Sequence, residues 1–227
     1  MDLKDIISNS LDFPIYNKEH VKKWLIFGLI TLAGYLLIPL IFAAGYQLRT
    51  IRKTIEGDSE LPEFNEWVKM FTDGFKVIVA QLIYYLAPLI FIFAGVVSFY
   101  MGNGWGMLLI LVGIILLIPA LMLFAIAISN FAYHGNFGAA FDLKEIFQRI
   151  KTIGKGRFIL WWIATILIAI IIAALGEFIN IGSRAIGFFL VPLIFDSFVA
   201  LFEARSQGLI YRDSLDGTEE VLVNETE

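Results

Sequence analysis

The sequence predicts an all-α fold: a polytopic membrane helix bundle with about five transmembrane helices, plus interfacial amphipathic helices in the connecting loops. Three observations predict it. Apolar residues make up 59% of the 227-residue chain and charged residues 17%, against about 25% charged in a soluble domain, and mean hydropathy is +0.79. The apolar residues gather into five stretches, 24–46, 77–100, 105–128, 158–175 and 186–202, each near or above the roughly 17 residues that carry a helix across hydrocarbon. Of the 38 charged side chains, 37 fall outside these stretches, and Asp196 is the exception. A central charge costs at least ~2.5 kcal/mol in a spanning helix, so this segregation marks membrane spans.

Taken in order, the chain opens on Leu3, Ile6, Ile7 and Leu11, which share one face of a short amphipathic helix. Residues 1–20 are mixed in charge and interrupted by Pro14, and no cleaved signal peptide is expected. The stretch 24–46 is long enough for one crossing and is read as a single span. A re-entrant hairpin turning near Gly34 or Pro39 is the alternative. Next, Phe64, Trp67, Val68, Phe71 and Phe75 alternate at helical spacing with Glu63, Glu66, Lys69, Asp73 and Lys76, which predicts an interfacial helix near 63–76. Span 77–100 follows, and the connector Met101-Gly102-Asn103-Gly104 is short enough to force an antiparallel return through 105–128. Leu143, Ile146, Phe147, Ile150 and Ile153, opposite Lys144, Glu145, Arg149 and Lys151, predict a second interfacial helix near 142–153. Spans 158–175 and 186–202 complete a single membrane-integral domain over 1–212. The segment 213–227, with six acids and no base, reads as a disordered acidic tail.

Counting Lys and Arg by side sets the orientation. With 24–46 as one span, twelve lie with the two long loops and the C-terminus and five on the other side. The long loops and C-terminus are therefore expected in the cytoplasm and the N-terminus outside. Lys18, Lys22 and Lys23 disagree, and the hairpin alternative would reconcile them. Pro-Leu-Ile-Phe recurs at 39–42, 88–91 and 192–195, with Ile118-Pro119-Ala120-Leu121 as a weaker relative. Pro39, Pro88, Pro119 and Pro192 are thus expected as interior kinks forming one layer near the midplane.

Composition removes several kinds of chemistry. With no cysteine, and two histidines as distant as His20 and His134, neither a thiolate nor a zinc site is expected. The net charge of −4 argues against nucleic acid as a partner. No nucleophile–base motif or carboxylate pair is evident, so no catalytic residue, metal or cofactor is assigned and an enzyme is not expected. Asp196 stands alone among the spans. By depth Gln81 and Thr165 could meet it, with Ser197 adjacent, as an intramembrane polar cluster.

Gly45-Tyr46-Gln47-Leu48-Arg49-Thr50-Ile51-Arg52, then Gly57-Asp58, Leu61-Pro62-Glu63-Phe64 and Asp73-Gly74-Phe75-Lys76, together resemble the membrane-protein family catalogued as domain of unknown function 4013. Phe13-Pro14 followed by Lys22-Lys23-Trp24 is similar to that family's opening, and Ala139-Ala140-Phe141-Asp142 to its second cytoplasmic motif. The resemblance extends to about Tyr211. It implies a multi-pass membrane protein, commonly archaeal, and brings no activity, substrate or catalytic residue. Gly45, Tyr46, Arg49, Leu61, Pro62, Phe64, Asp73 and Gly74 are its motif residues. The expected function is that of a non-catalytic membrane scaffold, or a protein that interacts with lipid or a partner. The alternative is a small oligomeric transporter or channel built around Asp196. The lipid bilayer is the expected partner, and a homo-oligomer or another membrane protein stays open.

Overall fold

The structure, a computed structural model, describes the backbone of residues 1–224 and the side chains of residues 1–217. Those residues form helices and no strand: α1 Leu3–Asp12, α2 Lys18–Ala33, α3 Ile38–Ile55, α4 Trp67–Tyr100, α5 Gly106–His134, α6 Leu143–Ile153, α7 Lys155–Gly182, α8 Arg184–Leu190, a π-helical turn Val191–Asp196, and α9 Ser197–Asn224. Local chemistry sets many ends. Asp2, Asn17 and Asp142 accept from the first-turn amides of α1, α2 and α6, leaving fewer orphan donors. Gly135 and Gly154 close α5 and α6 at φ of 66° and 90°.

Four helical segments are long and apolar enough to cross a membrane: Trp67–Tyr100, Gly106–His134, Lys155–Gly182 and Arg184–Gly217. The fifth predicted span is corrected. Residues 24–46 do not run as one helix, because the chain reverses between α2 and α3 at Leu37, whose φ is 66°. Phe27 and Tyr46 consequently stack with ring centroids 5.1 Å apart, where one continuous helix would hold them roughly 28 Å apart. Pro39 explains part of the reversal. It sits in the first turn of α3, where the missing N–H has no helical partner to lose. From Trp24 to Ala33 the first arm is about 15 Å long, and the pair forms a helical hairpin whose tip stacks Tyr35 on Phe188 at 4.8 Å.

Of the four prolines, Pro88 and Pro119 lie inside α4 and α5 and Pro192 lies inside the continuous helical segment Arg184–Gly217, in the π-helical turn, whereas Pro39 starts a helix. Without its N–H, and with its ring against the carbonyl of residue 188, Pro192 favours that local unwinding. The interfacial helix expected near 63–76 is no separate element: from Trp67 on it is the first three turns of α4. The helix expected near 142–153 is α6, with Ile146 and Ile153 buried and Leu143 and Phe147 exposed.

At one end the helices form a closely packed base. It comprises α1, the later turns of α3 and α5, α6, the start of α7 and much of α9, around Ile6, Leu48, Ile51, Phe131, Ile146, Trp161 and Tyr211. The N-terminal segment belongs to this end: Arg205 of α9 donates to Asn9 at 2.9 Å, and Lys23 pairs with Glu63 at 2.6 Å. The N-terminal segment and the long loops therefore lie at the same end of the bundle. The last helix continues through 213–217, where disorder was expected, and Asp213 pairs with Arg157 at 2.5 Å. Of the expected tail, 225–227 lie outside the described residues.

Away from the base the same helices expose Leu, Ile and Phe almost continuously, as at Phe93, Ile115, Leu167 and Ile171. Water would not tolerate such a surface, and hydrocarbon would. α4 packs on α5 as one antiparallel hairpin, and α7 packs on α8 and the π-helical turn as a second. The α2–α3 hairpin joins them, α3 lying on both α4 and α9 and α2 on the π-helical turn. The series α5, α4, α3, α9, α7 is an arc with α2 flanking α3, and α5 and α7 at its ends make at most glancing contact.

Candidate functional site

The family-type motif residues assemble first, and they assemble as a clasp. A Cβ on Gly74 would lie 1.8 Å from the Ile41 carbonyl oxygen, and one on Gly45 would lie 1.9 Å from that of Met70. Only glycine at both positions lets α3 and α4 cross backbone to backbone. One turn on, Arg49 donates to the carbonyls of Asn65 at 2.7 Å and Glu66 at 2.9 Å, gathering the loop before α4. Hydrogen bonds to a charged donor contribute about 1.5–3 kcal/mol each, and Glu66 needs such support because its φ is 47°. The Tyr46 hydroxyl donates to the Pro62 carbonyl at 2.9 Å, its ring stacks on Phe64 at 4.4 Å, and Leu61 is wholly buried beside them. Asp73 stands 3.7 Å from Arg52, which also donates to the Ala132 carbonyl. The motif thus fixes backbone geometry, with the Asp73 Oδ2 buried and without a hydrogen bond beside the Arg52 guanidinium. Beside it, Lys23 holds the Glu63 carboxyl below the usual range, and Lys53 with the Glu60 N–H does the same for Asp58.

A second polar knot ties α5, α6 and α9 together in the base. Glu145 accepts from His134 at 3.0 Å, Arg149 at 3.0 Å and Asn130 at 3.3 Å, and Tyr211 donates to Asn130. Burial works against the charged form of Glu145. His134, Arg149 and Asn130 together outweigh it and hold the carboxyl below its ordinary value.

Inside the arc, where the base meets the apolar zone, lies a cavity of about 480 Å³. Gln47 of α3, Gln81 and Tyr85 of α4, Trp162 and Thr165 of α7, and Glu203 and Gln207 of α9 bring polar atoms to a wall otherwise built of Leu, Ile, Val, Ala and Phe. Thr165 donates to the Trp161 carbonyl at 2.9 Å, and the Trp161 indole N–H to Ser206 at 2.8 Å. By contrast the carboxylate of Glu203 and the side-chain amides of Gln47, Gln81 and Gln207 make no hydrogen bond or ion pair among the described residues. Gln47, Glu203 and Gln207 are half-buried and Gln81 is exposed, so their polar atoms face the open space of the cavity, and four such groups converging in an apolar wall mark a place for a polar ligand.

The cluster expected around Asp196 is only half assembled. Gln81 and Thr165 do share the cavity, but the carboxylate that joins them is Glu203. Ser197 is buried elsewhere, accepting from the Trp24 indole at 2.9 Å and donating to the Leu193 carbonyl at 2.6 Å. There a Cβ on Gly28 would lie 2.1 Å from the Leu193 carbonyl oxygen, so α2 presses its backbone onto the π-helical turn. Asp196 is exposed in a groove between α7 and α9 that continues from the cavity through Ile166 and Glu203. Sequence reasoning passed over Glu203 because it stands one residue beyond the last apolar stretch. Its spacing of seven from Asp196 was the available signal, since that spacing keeps both on one helix face.

A family model described as protein of unknown function (DUF4013) matches residues 28–181. Two curated proteins of Methanocaldococcus jannaschii are similar. Uncharacterized protein MJ0233 is 27% identical over 154 residues, which is 64% of this chain and 51% of that protein. Uncharacterized protein MJ1189 is 28% identical over 121 residues, 47% of this chain and 40% of that protein. The chain therefore spans about half the length of the curated relatives it matches. No solved structure matches.

Proposed function

The chain belongs to the family described as protein of unknown function (DUF4013), and from that premise we propose that it is a non-catalytic membrane protein that holds a lipid-like amphiphile between its two helical hairpins. One observation carries the reading: a polar-lined cavity of about 480 Å³ opens into an apolar space where α5 and α7 stand apart. A headgroup would sit among Gln47, Gln81, Thr165 and Gln207, with its chains continuing between the hairpins. The volume lies within the roughly 300–1,000 Å³ of small-molecule sites. Placing the N-terminus with the loops leaves Arg184 as the one basic residue at the far end, which supports a cytoplasmic base. The exposed position of Asp196, away from Gln81 and Thr165, speaks against a channel centred on it.

Native mass spectrometry of the detergent-purified protein tests this. Wild type is expected to retain bound lipid. Gln81→Trp with Ile166→Trp, which fills the cavity from both walls, is expected to lose it while keeping its melting temperature. Equal retention by the folded double variant would overturn the proposal.

A further inference from the structure

Which headgroup the cavity accepts is a question of charge, and its lining has one sign only. Glu203 supplies a carboxylate, and no Lys, Arg or His side chain lines the cavity. Glu203 is half-buried in this apolar wall with no cationic partner among the described residues, so a cation in the cavity would stabilise its ionised form. The nearest charged side chains of α9 point elsewhere: Arg205 is engaged by Asn9, Thr54 and the Asp58 carbonyl. An anionic headgroup would meet repulsion and no cationic donor. A bare metal ion needs several oxygens within about 2.6 Å, whereas this space is far larger and its amides come from three different helices. An organic cation answers each point, because Glu203 neutralises it and the faces of Trp162 and Tyr85 attract it. Glu203, Tyr85 and Trp162 all line this one cavity.

A way in is also present. From Glu203 a groove of about 360 Å³ runs between α7 and α9, walled by Ala169, Ala173, Val199 and Ala200, to Asp196. The two carboxylates are seven residues apart, or about 10 Å along the helix. The small side chains leave width for an alkyl chain or flat aromatic body. We propose that the cavity binds a lipophilic organic cation that enters from the bilayer along this groove, meets Asp196 first and is held by Glu203 inside. This rests on the cleft-binding reading above and names the charge of the headgroup.

The test uses rhodamine 6G as the probe, with the full chain in maltoside detergent, read by anisotropy at equilibrium and by stopped-flow fluorescence. Wild type is expected to bind saturably and to release the dye to dodecyltrimethylammonium but not to octanol. Glu203→Gln is expected to weaken binding by about tenfold or more, the scale of removing one desolvated charge partner. Asp196→Asn is expected to slow association while affinity stays within about threefold, because Asp196 lies outside the cavity and meets the ligand only on entry. If Glu203→Gln does not fold, Trp162→Leu serves, with a loss of about fivefold expected from the missing ring face. Absence of saturable binding to wild type, or equal binding by wild type and folded Glu203→Gln, overturns the proposal. Lipid retention separates the two readings: wild type that keeps lipid but binds no cation leaves the cleft reading standing and removes this one.

Discussion

Gly74→Ala puts the crossing of α3 and α4 under direct test. The added Cβ would fall 1.8 Å from the Ile41 carbonyl oxygen, 2.7 Å from the Gly45 nitrogen and 2.9 Å from the Ile41 carbonyl carbon. All three are backbone atoms of a helix, so no rotamer change relieves the clash. Restoring ordinary contact requires the two helices to part by about 1.5 Å, which strips dispersion contacts from Phe42 and Phe71 as well. Overpacking costs about 1–3 kcal/mol where side chains can yield, and backbone on both sides places this substitution at or above about 3 kcal/mol. At roughly 2–4 °C per kcal/mol for a chain of this size, melting should fall by roughly 6–12 °C, followed by intrinsic fluorescence in detergent. Gly104→Ala is the control, because nothing lies within 4 Å of a Cβ there, and a change within about 0.5 kcal/mol is expected. Adding Gly45→Ala should cost less than its effect alone, since one separation relieves both clashes. A Gly74→Ala melt indistinguishable from that of Gly104→Ala would refute the crossing and the clasp built on it.

The absence of native cysteine allows single-cysteine labelling of the hairpin. Lys18→Cys and Lys144→Cys should react from the same side of sealed vesicles and Asn103→Cys from the other; Lys18→Cys reacting with Asn103→Cys would restore a single span through 24–46. For Glu145, whose folded carboxyl is held below its unfolded value, the stabilisation is present at neutral pH and is lost as pH falls below about 4.3 and through the folded value. Glu145→Gln should therefore lower stability by about 1–2 kcal/mol at pH 7, with the gap to wild type narrowing as pH falls below about 4.3, and a gap constant with falling pH would count against the knot.

The spans were legible because charge and hydrocarbon exclude one another, a rule that acts residue by residue along the chain. α4, α5 and α7 therefore fall where the apolar stretches predict. The stretch 24–46 was different: its length suits one crossing or two half-crossings, and the choice rests on tertiary facts such as Gly28 against Leu193. Lys18, Lys22 and Lys23 fitted the hairpin alternative, and α2 and α3 do form a helical hairpin. At the cavity, Gln81 and Thr165 were found by depth. Glu203 was not, because an apolar window ends where the first charge stands, while a buried helix need not end there. The motif residues could be recognised as a set, but what they do depended on carbonyl groups of residues 62–66, whose positions no side-chain pattern encodes.

The hairpin of α2 and α3 also braces the α7–α8 turn from the side. At its tip Tyr35 stacks on Phe188 at 4.8 Å and stands with Glu177, Asn180 and Arg184, while Trp24 at its root holds Ser197 and Gly28 touches Leu193 between them. The segment 188–197, which contains the π-helical turn, is thus splinted along its length by a neighbour. A helix weakened by Pro192 would otherwise be free to bend there, so the hairpin acts as a stay that holds the last crossing straight.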